Sequence, residues 1–359
     1  MRVAIVGQQL ARGASGGIGT YIMGLLRALG SLTQSKEPDV TLFGSVPRGS
    51  QPQGEWDWVR PKALGQRIEP RLVVPAWDLG LGGVPAGFDV VHAPSLALPP
   101  TKAPAVVVVN DIAWRKVPDT FPRRGRLWHD MALSRALRKA AAFVVPSEES
   151  AADLIGAGAS RSAVRVIEYG VDHLAPADDA GAEKLLVSLG VTGPFVLSVG
   201  TLEPRKNLRL LSEAWRLARS SLGEEWRLVV IGPRGWGDGL EPGPAMVLGG
   251  MVSPEILTSL YHKASMLAYV PLLEGYGLPP LEAMACSTPV VASPMPSTRG
   301  AALEVDPHSV HSVTEGIVAL ATDAATREHF VALGRSRVHS LTWEATARHH
   351  LELWREVAR

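Results

Sequence analysis

Short apolar runs alternate along the chain with longer stretches in which apolar positions recur at helical spacing. Runs of this length, rich in Val and bounded by polar or glycine residues, predict strands that are buried on both faces. The predicted strands are Val3–Gly7, Val40–Phe43, Val90–His92, Val106–Val109, Phe143–Val145, Val164–Ile167, Phe195–Val199, Leu228–Ile231, Leu267–Val270 and Val290–Ala292. The helical stretches include Thr20–Leu29, Leu127–Lys139, Asn207–Leu217 and Pro254–Ala264. The alternation predicts an α/β protein with parallel sheets covered by helices.

One segment near the middle of the chain interrupts this alternation. Ala175–Glu183 combines small and polar residues with Pro and Gly, which is the composition of an interdomain linker. The length of 359 residues favours two domains. We therefore predict two doubly wound parallel-sheet domains, 1–177 and 178–342, that face a central cleft. A ligand is expected there, at the carboxyl ends of the strands.

Composition narrows the picture by exclusion. The chain has 36 Lys and Arg against 35 Asp and Glu, and this balance excludes a generally basic nucleic-acid binder and an acidic disordered chain. Its single cysteine, Cys286, excludes an intrachain disulfide framework and is expected to be a small buried residue rather than a nucleophile. No apolar run is long enough to predict a transmembrane helix.

The first β–α loop, Gly13–Gly19, is rich in glycine but lacks a dinucleotide-binding fingerprint. Gly7 ends the first strand, yet the next glycines that could complete the pattern, Gly16 and Gly17, come well after it. Two interpretations stay open. The loop is either a flexible connection or a backbone surface that lets a phosphate or a sugar approach closely.

A cationic turn follows the strand Phe195–Val199. Gly200–Asn207 reads GTLEPRKN and places Arg205 and Lys206 next to each other just before a predicted helix. Cations at a helix start oppose the helix dipole, so the pair makes sense if an anion binds between them and the backbone amides. A solvated basic turn is the alternative. We favour a diphosphate site.

A second block places two carboxylates around a glycine-rich and proline-rich loop. Glu274 and Glu282 are separated by seven residues, and Pro279 favours a helix start between them. Glu274 is therefore expected on a loop and Glu282 in the first helical turns. The two carboxylates could accept hydroxyls of a sugar or a ribose, beside free amides and a positive helix end suited to phosphate.

These motifs resemble the retaining glycosyltransferases of glycosyltransferase family 4, which have the GT-B fold. The segments that carry the resemblance are Gly16–Gly19, Asn110-Asp111, Val166–Asp172, Val199–Asn207, Leu248–Ser253, Glu274–Glu282 and Thr288–Ser293. The resemblance implies two Rossmann-like domains, with the acceptor bound by the N-terminal one and the donor by the C-terminal one. It also implies that the last helix, 343–359, crosses back to the N-terminal domain, and Trp343 is expected in a core.

The resemblance further implies a nucleotide-sugar substrate, without a metal or another cofactor. By this analogy Lys206, helped by Arg205, neutralises the diphosphate, Glu282 binds the ribose hydroxyls and Glu274 faces the transferred sugar. The other implied donor-site positions are Gly16, Gly17, Thr201, Met251, Val252, Gly275, Tyr276, Gly277 and Leu278. Met251 and Val252 are expected at the base, and Gly16 and Gly17 at the phosphates.

Two positions depart from the family pattern. Thr201 stands where members often have an arginine, and Arg205 with Lys206 is expected to suffice. Asn110-Asp111 stands where a His-Asp pair beside the donor sugar is common. Asn110 can form hydrogen bonds but cannot carry a charge, so the change bears on the choice of sugar or on the rate.

The segment Gly200–Asn207 most resembles that of mannosyltransferases of surface polysaccharide assembly, so GDP-mannose is the first expected donor and a UDP-sugar the second. The expected acceptor is a hydroxyl of a glycan, a lipid-linked molecule or a small molecule, with no nucleic-acid partner. A donor phosphate oxygen is expected to take the acceptor proton in a front-face reaction. The alternatives are a catalytically silent sugar-nucleotide-binding protein and an epimerase or phosphorylase on the same fold.

Charge is distributed unevenly along the chain. Arg115–Lys139 holds eight Lys and Arg against two acidic residues, together with aromatic side chains. A basic, aromatic segment can contact an anionic membrane or a lipid-diphosphate acceptor, and the alternative is a solvated helix face. We expect a cytoplasmic protein, peripheral at the inner face of the membrane. His129, His349 and His350 are expected to be solvated helix residues.

Overall fold

A computed structural model describes residues 1–11, 16–32, 38–44, 64–65, 72–237 and 245–359 of the protein. The chain divides into two compact units. The first unit comprises Met1–Ile112, Pro122–Gly170 and Thr342–Arg359. The second unit comprises Ala113–Phe121 and Val171–Leu341. Each unit is built on a parallel sheet of its own.

The sheet of the first unit has seven strands among the described residues. They are β1 (Arg2–Val6), β2 (Asp39–Gly44), β3 (Leu64–Gly65), β4 (Val90–Ala93), β5 (Ala105–Val108), β6 (Ala142–Val145) and β7 (Val164–Val166). Their order in the sheet is β3-β2-β1-β4-β5-β6-β7, and all pairs are parallel. The direction of winding therefore reverses between β1 and β4, which defines a topological switch point.

The sheet of the second unit shows six strands in the described ranges. They are β8 (Phe195–Val199), β9 (Arg227–Ile231), β10 (Met246–Gly250), β11 (Met266–Tyr269), β12 (Val290–Ala292) and β13 (Leu303–Glu304). Their order is β10-β9-β8-β11-β12-β13, again all parallel. The winding reverses between β8 and β11. All ten predicted strands form, and the doubly wound α/β prediction is confirmed.

The helices connect these strands. They are α1 (Gly16–Leu32), α2 (Val73–Asp78), α3 (Ala113–Lys116), α4 (Arg123–Lys139), α5 (Glu148–Gly156), α6 (Asp179–Ser188), α7 (Leu208–Leu222), α8 (Pro254–Lys263), α9 (Leu278–Ala285), α10 (Val310–Thr322), α11 (Ala324–Val338) and α12 (Trp343–Val357). The prediction of a linker over Ala175–Glu183 is wrong for its second half, because α6 begins at Asp179. Asp178 caps this helix by accepting a hydrogen bond from the backbone N–H of Gly181 at 2.9 Å.

Helix α12 lies against α1 within the first unit, and a glycine in α1 allows the two helices to approach closely. A Cβ atom at Gly24, in the middle of α1, would lie 2.2 Å from the ring of Trp343. Trp343 is 3% exposed, as expected for a core residue. Glycine costs roughly 1 kcal/mol in a helix interior, and at this position it allows the indole to pack.

A directed chain of hydrogen bonds crosses the same interface. Nδ1 of His350 lies 2.8 Å from the carbonyl oxygen of Thr346, which can only accept, so Nδ1 carries the proton. Nε2 of the neutral ring therefore accepts a hydrogen bond from the Tyr21 hydroxyl at 2.7 Å. The Tyr21 hydroxyl in turn accepts a hydrogen bond from Nε2 of His92 at 2.9 Å. Nδ1 of His92 accepts one from the indole N–H of Trp354 at 3.4 Å. Every donor has an acceptor only if both histidines are neutral.

The expectation that His350 is a solvated helix residue is wrong. His350 and His92 are both 0% exposed, whereas the neighbouring His349 is exposed. Burial lowers the pKa of His350 to about 4 and lowers the pKa of His92 well below its ordinary value. A proton at Nε2 of His350 would also leave the hydroxyl hydrogen of Tyr21 without its acceptor.

The first prediction concerns stability in acid. Because the folded-state pKa of His350 lies below 6.5, the unfolded chain takes up the proton first as the pH falls. The free energy of unfolding should therefore decrease between pH 6.5 and about 4, by roughly 3 kcal/mol from this group alone. His350→Gln should remove most of that contribution in urea unfolding curves measured across this pH range.

The matched control is His349→Gln, which alters the exposed neighbour on the same helix. Its pH dependence should follow that of the unaltered protein. Equal slopes for His350→Gln and the unaltered protein would contradict the assignment of a neutral, buried His350.

Candidate active site

The switch point of the second sheet carries the cationic turn found in the sequence. Gly200–Asn207 follows β8, and the segment from Val270 to Glu274 follows the adjacent strand β11. Because both strands are parallel neighbours, these two segments leave the sheet at the same edge. This is the position where doubly wound sheets bind ligands.

Asn207 fixes the path of the turn after β8. Pro204–Lys206 form a single 3-10 turn, and Asn207 follows it in the left-handed conformation, with φ 58° and ψ 30°. Its side-chain amide donates to the carbonyl oxygens of Val270 at 3.1 Å and Pro307 at 2.7 Å. Asparagine tolerates this backbone conformation better than most residues, so it can end the turn and tie it to β11.

Arg205 joins the turn to the loop after β11. Its guanidinium donates to the carbonyl oxygen of Leu273 at 2.9 Å and to the carboxylate of Glu274 at 2.6 Å. The other terminal nitrogen donates to the carboxylate of Glu203 at 2.8 Å. The side chain is only 15% exposed. A planar fork held by three acceptors positions both loops rigidly.

Lys206 extends from the same turn to the same carboxylate. Its ammonium donates to the hydroxyl of Tyr269 at 2.7 Å and to a carboxylate oxygen of Glu274. Tyr269 is the last residue of β11, and burial raises the pKa of its hydroxyl well above the ordinary value. The hydroxyl thus stays protonated beside the ammonium.

Charge in this cluster is balanced within the protein. Burial alone would raise the pKa of Glu274, but the charges of Lys206 and Arg205 and hydrogen bonds from Lys206 and Tyr269 lower it to about 2. For Glu203 burial dominates, and its pKa is raised despite Arg205 and Lys206. Two cations thus face two carboxylates, and Glu274 is ionised at any pH near neutrality.

Glu282 forms a second cluster on the first turns of α9, as predicted. One carboxylate oxygen faces Nε2 of His173 at 3.0 Å, and the other accepts from the Tyr261 hydroxyl at 2.7 Å. Glu282 is 8% exposed. Cys286, at the end of the same helix, is buried as predicted, and burial raises the pKa of its thiol to about 12.

The loop that links the two glutamates depends on a glycine. Gly277 precedes α9 with φ 96°, and a Cβ atom there would lie 2.6 Å from the sulfur of Met295. Pro279 lies in the first turn of α9, as the sequence indicated. Pro279 and Pro280 have no backbone N–H, so among residues 278–280 of the first turn only Leu278 offers an amide to a ligand.

The structure does not gather all the predicted residues into one place. Met251 and Val252 follow β10 at the edge of the second sheet, and Met251 is 60% exposed. Asn110, Asp111, Gly16 and Gly17 belong to the first unit. There the Asn110 side-chain oxygen accepts from the Tyr169 hydroxyl at 2.5 Å, and Gly16 begins α1 with φ 54°.

Four side chains that complete the two clusters were missed from the sequence. They are Glu203, Tyr269, Tyr261 and His173. Glu203 lies inside the cationic turn and could have been noticed there as a second acid beside two cations. Tyr261 and His173 are far from Glu282 along the chain, and Tyr269 is far from Lys206, so no local pattern pairs them.

Comparison with known proteins relates the chain to glycosyltransferase families. A model described as glycosyl transferases group 1 matches residues 187–337, and one described as glycosyltransferase family 4 matches residues 15–173. O-antigen chain mannosyltransferase B of Escherichia coli is 29% identical over 272 residues, which cover 71% of each chain. The serotype-specific mannosyltransferase WbdA of Escherichia coli is 24% identical over 51% of this chain and 23% of its own length.

Among solved structures, Anabaena Alr3699/HepE in complex with UDP and glucose has a TM-score of 0.71. The likeness covers 99% of this chain and 100% of that one at 16% identity, and it shows the fold. Both matched family models describe glycosyltransferases, and the fold is the GT-B fold. Within that class, the chain belongs with glycosyltransferase family 4.

The second prediction tests how Asn207 supports the turn. Asn207→Ala removes two hydrogen bonds and places alanine in the left-handed region, so we expect a loss of about 2–3 kcal/mol of unfolding free energy. Asn207→Gly keeps the backbone conformation accessible and should lose only about 1–2 kcal/mol. Chemical denaturation of both variants checks this order, and a larger loss for glycine than for alanine would contradict it.

Proposed function

We propose that this glycosyltransferase moves a hexose from a nucleoside-diphosphate sugar to an acceptor hydroxyl with retention of the anomeric configuration. The observation that carries the proposal is the group of Arg205, Lys206 and Glu274 at the switch point of the second sheet. GDP-mannose is the first proposed donor, supported by the mannosyltransferase relatives. A UDP-sugar is the second, supported by the UDP complex of a protein with the same fold.

The proposed roles follow from chemistry. Lys206 binds the diphosphate in a site shaped by Arg205, the amides of Gly275 to Leu278 lie near phosphate and sugar, and Glu282 accepts the ribose hydroxyls. Thr201 belongs to the same donor turn, and Met251 and Val252 meet the base. Asn110, Asp111, Gly16 and Gly17 keep their predicted roles toward the sugar and the phosphates.

Glu274 is unsuited to act as a general base, because a carboxylate with a pKa of about 2 holds a proton poorly near neutral pH. Its fixed negative charge instead suits the positive charge that develops at the anomeric carbon. We therefore propose a front-face reaction in which the bond from this carbon to the diphosphate breaks as the bond to the acceptor oxygen forms. The acceptor proton passes to the leaving phosphate oxygen, and no metal is required.

The acceptor is proposed to be a hydroxyl of a glycan, a lipid-linked molecule or a small molecule. A silent sugar-nucleotide-binding protein and an epimerase or phosphorylase are the competing functions. These functions and the proposed transferase differ in the product that each releases from the donor. Only a transferase should release a nucleoside diphosphate at a rate that depends on an added hydroxyl acceptor.

The third prediction tests the reaction. Incubation with GDP-mannose or UDP-glucose, an oligosaccharide acceptor and excess chelator should release the nucleoside diphosphate. Lys206→Ala should lower the rate at least about a hundredfold, because it removes a charge from the leaving diphosphate. The measurement is coupled detection of GDP or UDP, with product analysis by mass spectrometry.

The matched control is Lys263→Ala, which alters a lysine of the same unit that pairs with Glu183 at 2.9 Å. Its rate should stay close to that of the unaltered protein. Full activity of Lys206→Ala would overturn the assignment of the diphosphate site. Release that stops on chelation would overturn metal independence.

We also propose that the protein is cytoplasmic and contacts the inner face of the membrane through α4. Among the described residues no helix is long and apolar enough to span a bilayer. Five of the ten strongly exposed large hydrophobic residues in those ranges lie on α4 or around α2: Leu72, Leu79, Leu81, Leu127 and Met131. Asp78 of α2 contacts both Trp128 and Arg135 of α4, so the two helices are neighbours.

The exposed face of α4 combines apolar and cationic side chains. Leu127 and Met131 are one turn apart, with Arg124 before them and Arg138 after them, and all four are exposed. Cations at both ends and apolar residues between them fit a helix that lies flat on an anionic bilayer. Arg115 belongs to the second unit and α4 to the first, so the proposed membrane contact involves α4 and not the whole segment Arg115–Lys139.

The fourth prediction concerns this face. The protein should co-sediment with phosphatidylglycerol-containing vesicles more strongly than with phosphatidylcholine vesicles, and salt should weaken the difference. The double variant Leu127→Ser and Met131→Ser should lower the partition coefficient about tenfold or more.

Val187→Ser is the control, because Val187 is 70% exposed on the second unit. It should bind vesicles as the unaltered protein does. Equal binding of both vesicle types, or an equal loss in the control, would contradict the proposed contact.

A further inference from the structure

The carboxylate of Glu282 is held at both of its oxygen atoms. The Tyr261 hydroxyl donates to Oε2 at 2.7 Å, and Nε2 of His173 lies 3.0 Å from Oε1. The three residues come from three parts of the second unit: Tyr261 from α8, Glu282 from α9, and His173 from the segment that begins this part of the unit at Val171. A carboxylate fixed at both ends cannot rotate freely.

The partners of Glu282 are themselves fixed. Tyr261 is 0% exposed, and its carbonyl oxygen accepts a hydrogen bond from the Thr288 hydroxyl at 2.5 Å. The side chains of His173 and Glu282 are 15% and 11% exposed. The direction of the Glu282 carboxylate is thus set by its surroundings, and part of this pair of side chains remains exposed.

The hydroxyl of Tyr261 stays a donor throughout. Burial raises the pKa of Tyr261 well above its ordinary value, and the charge of Glu282 adds to the shift. Each oxygen of a carboxylate can accept about two hydrogen bonds, so each oxygen of Glu282 retains room for one more. Two neighbouring acceptors of this kind match the two adjacent hydroxyls of a ribose.

We propose that Tyr261 and His173 are positioning residues for the nucleotide, which hold the Glu282 carboxylate so that it receives the 2′- and 3′-hydroxyls of the ribose together. The inference rests on the proposed role of Glu282 in binding the ribose. It adds the two residues that give this carboxylate its direction. An unheld glutamate would lose rotamer freedom on binding, and the fixed one has already lost it.

Tyr261 and His173 could also serve only to stabilise the packing around α9. The test must therefore separate this structural role from the positioning of Glu282. The readout is the ratio of the dissociation constants of the 2′,3′-dideoxy nucleotide and the parent nucleotide. GDP and dideoxy-GDP, or UDP and dideoxy-UDP, are titrated by calorimetry, with the base that the unaltered protein binds more tightly. A general loss of structure weakens both ligands equally and leaves the ratio unchanged.

The unaltered protein should prefer the parent nucleotide at least about tenfold, since hydrogen bonds to a charged acceptor are strong. Tyr261→Phe and His173→Leu should each reduce this preference about three- to tenfold. His173→Gln, which can place an amide N–H where Nε2 lies, should retain most of it. His262→Leu, which alters the exposed histidine next to Tyr261, should leave it unchanged.

The outcomes separate the inference from the function on which it rests. If Glu282→Gln keeps the full ribose preference, Glu282 does not bind the ribose and both ideas fail. If Glu282→Gln abolishes the preference while Tyr261→Phe and His173→Leu retain it, Glu282 binds the ribose and the positioning role is overturned. Melting temperatures without ligand show whether each variant is folded.

Discussion

The buried ion cluster around Glu274 is the interaction on which the architecture of the second unit's site depends. Glu274 lies on the loop that follows β11, whereas Arg205 and Lys206 lie on the turn that follows β8. A carboxylate buried without partners would take up a proton, and two buried cations without it would repel each other. The cluster therefore holds both loops at the switch point before any ligand arrives, with the charges already compensated.

The buried polar groups of the first unit are neutral, in contrast to the charged groups of the second unit. Tyr21, His92 and His350 are buried without charge, and their hydrogen bonds run in one direction toward the carbonyl oxygen of Thr346. Neutral groups suit an interface between α1, β4 and α12 that only has to be stable. Charged groups suit the function proposed for the other unit, because a bound diphosphate would displace one ionic contact and replace it with another.

The sequence predicted the elements well because buried parallel strands are continuous apolar runs, which need no knowledge of their neighbours. β10, which contains two glycines, and the two-residue strands β3 and β13 carry no such signal. Arg205, Lys206, Glu274 and Glu282 could be predicted because each lies in a local motif.

What the sequence could not show depends on contacts between distant residues. Tyr261 and Glu282 are 21 positions apart, and His173 and Glu282 are 109 apart. The burial of His350 likewise depends on α1 and β4, which approach α12 only in the folded chain. The second half of the predicted linker Ala175–Glu183 was wrong because the sequence alone does not distinguish a helix cap such as Asp178 from a polar linker residue.

The two adjacent cations are not equivalent in the folded protein, and this bears on how the site would receive the proposed diphosphate. Arg205 is held by Glu203, Glu274 and the carbonyl oxygen of Leu273, so moving its planar group would break three contacts at once. Lys206 has three rotatable donors on a flexible stem and contacts Glu274 and Tyr269. It can turn one donor to a phosphate while keeping another on Glu274. For the proposed diphosphate site, Lys206 is thus the group suited to contact the ligand, and Arg205 is the fixed group that sets the position of Lys206.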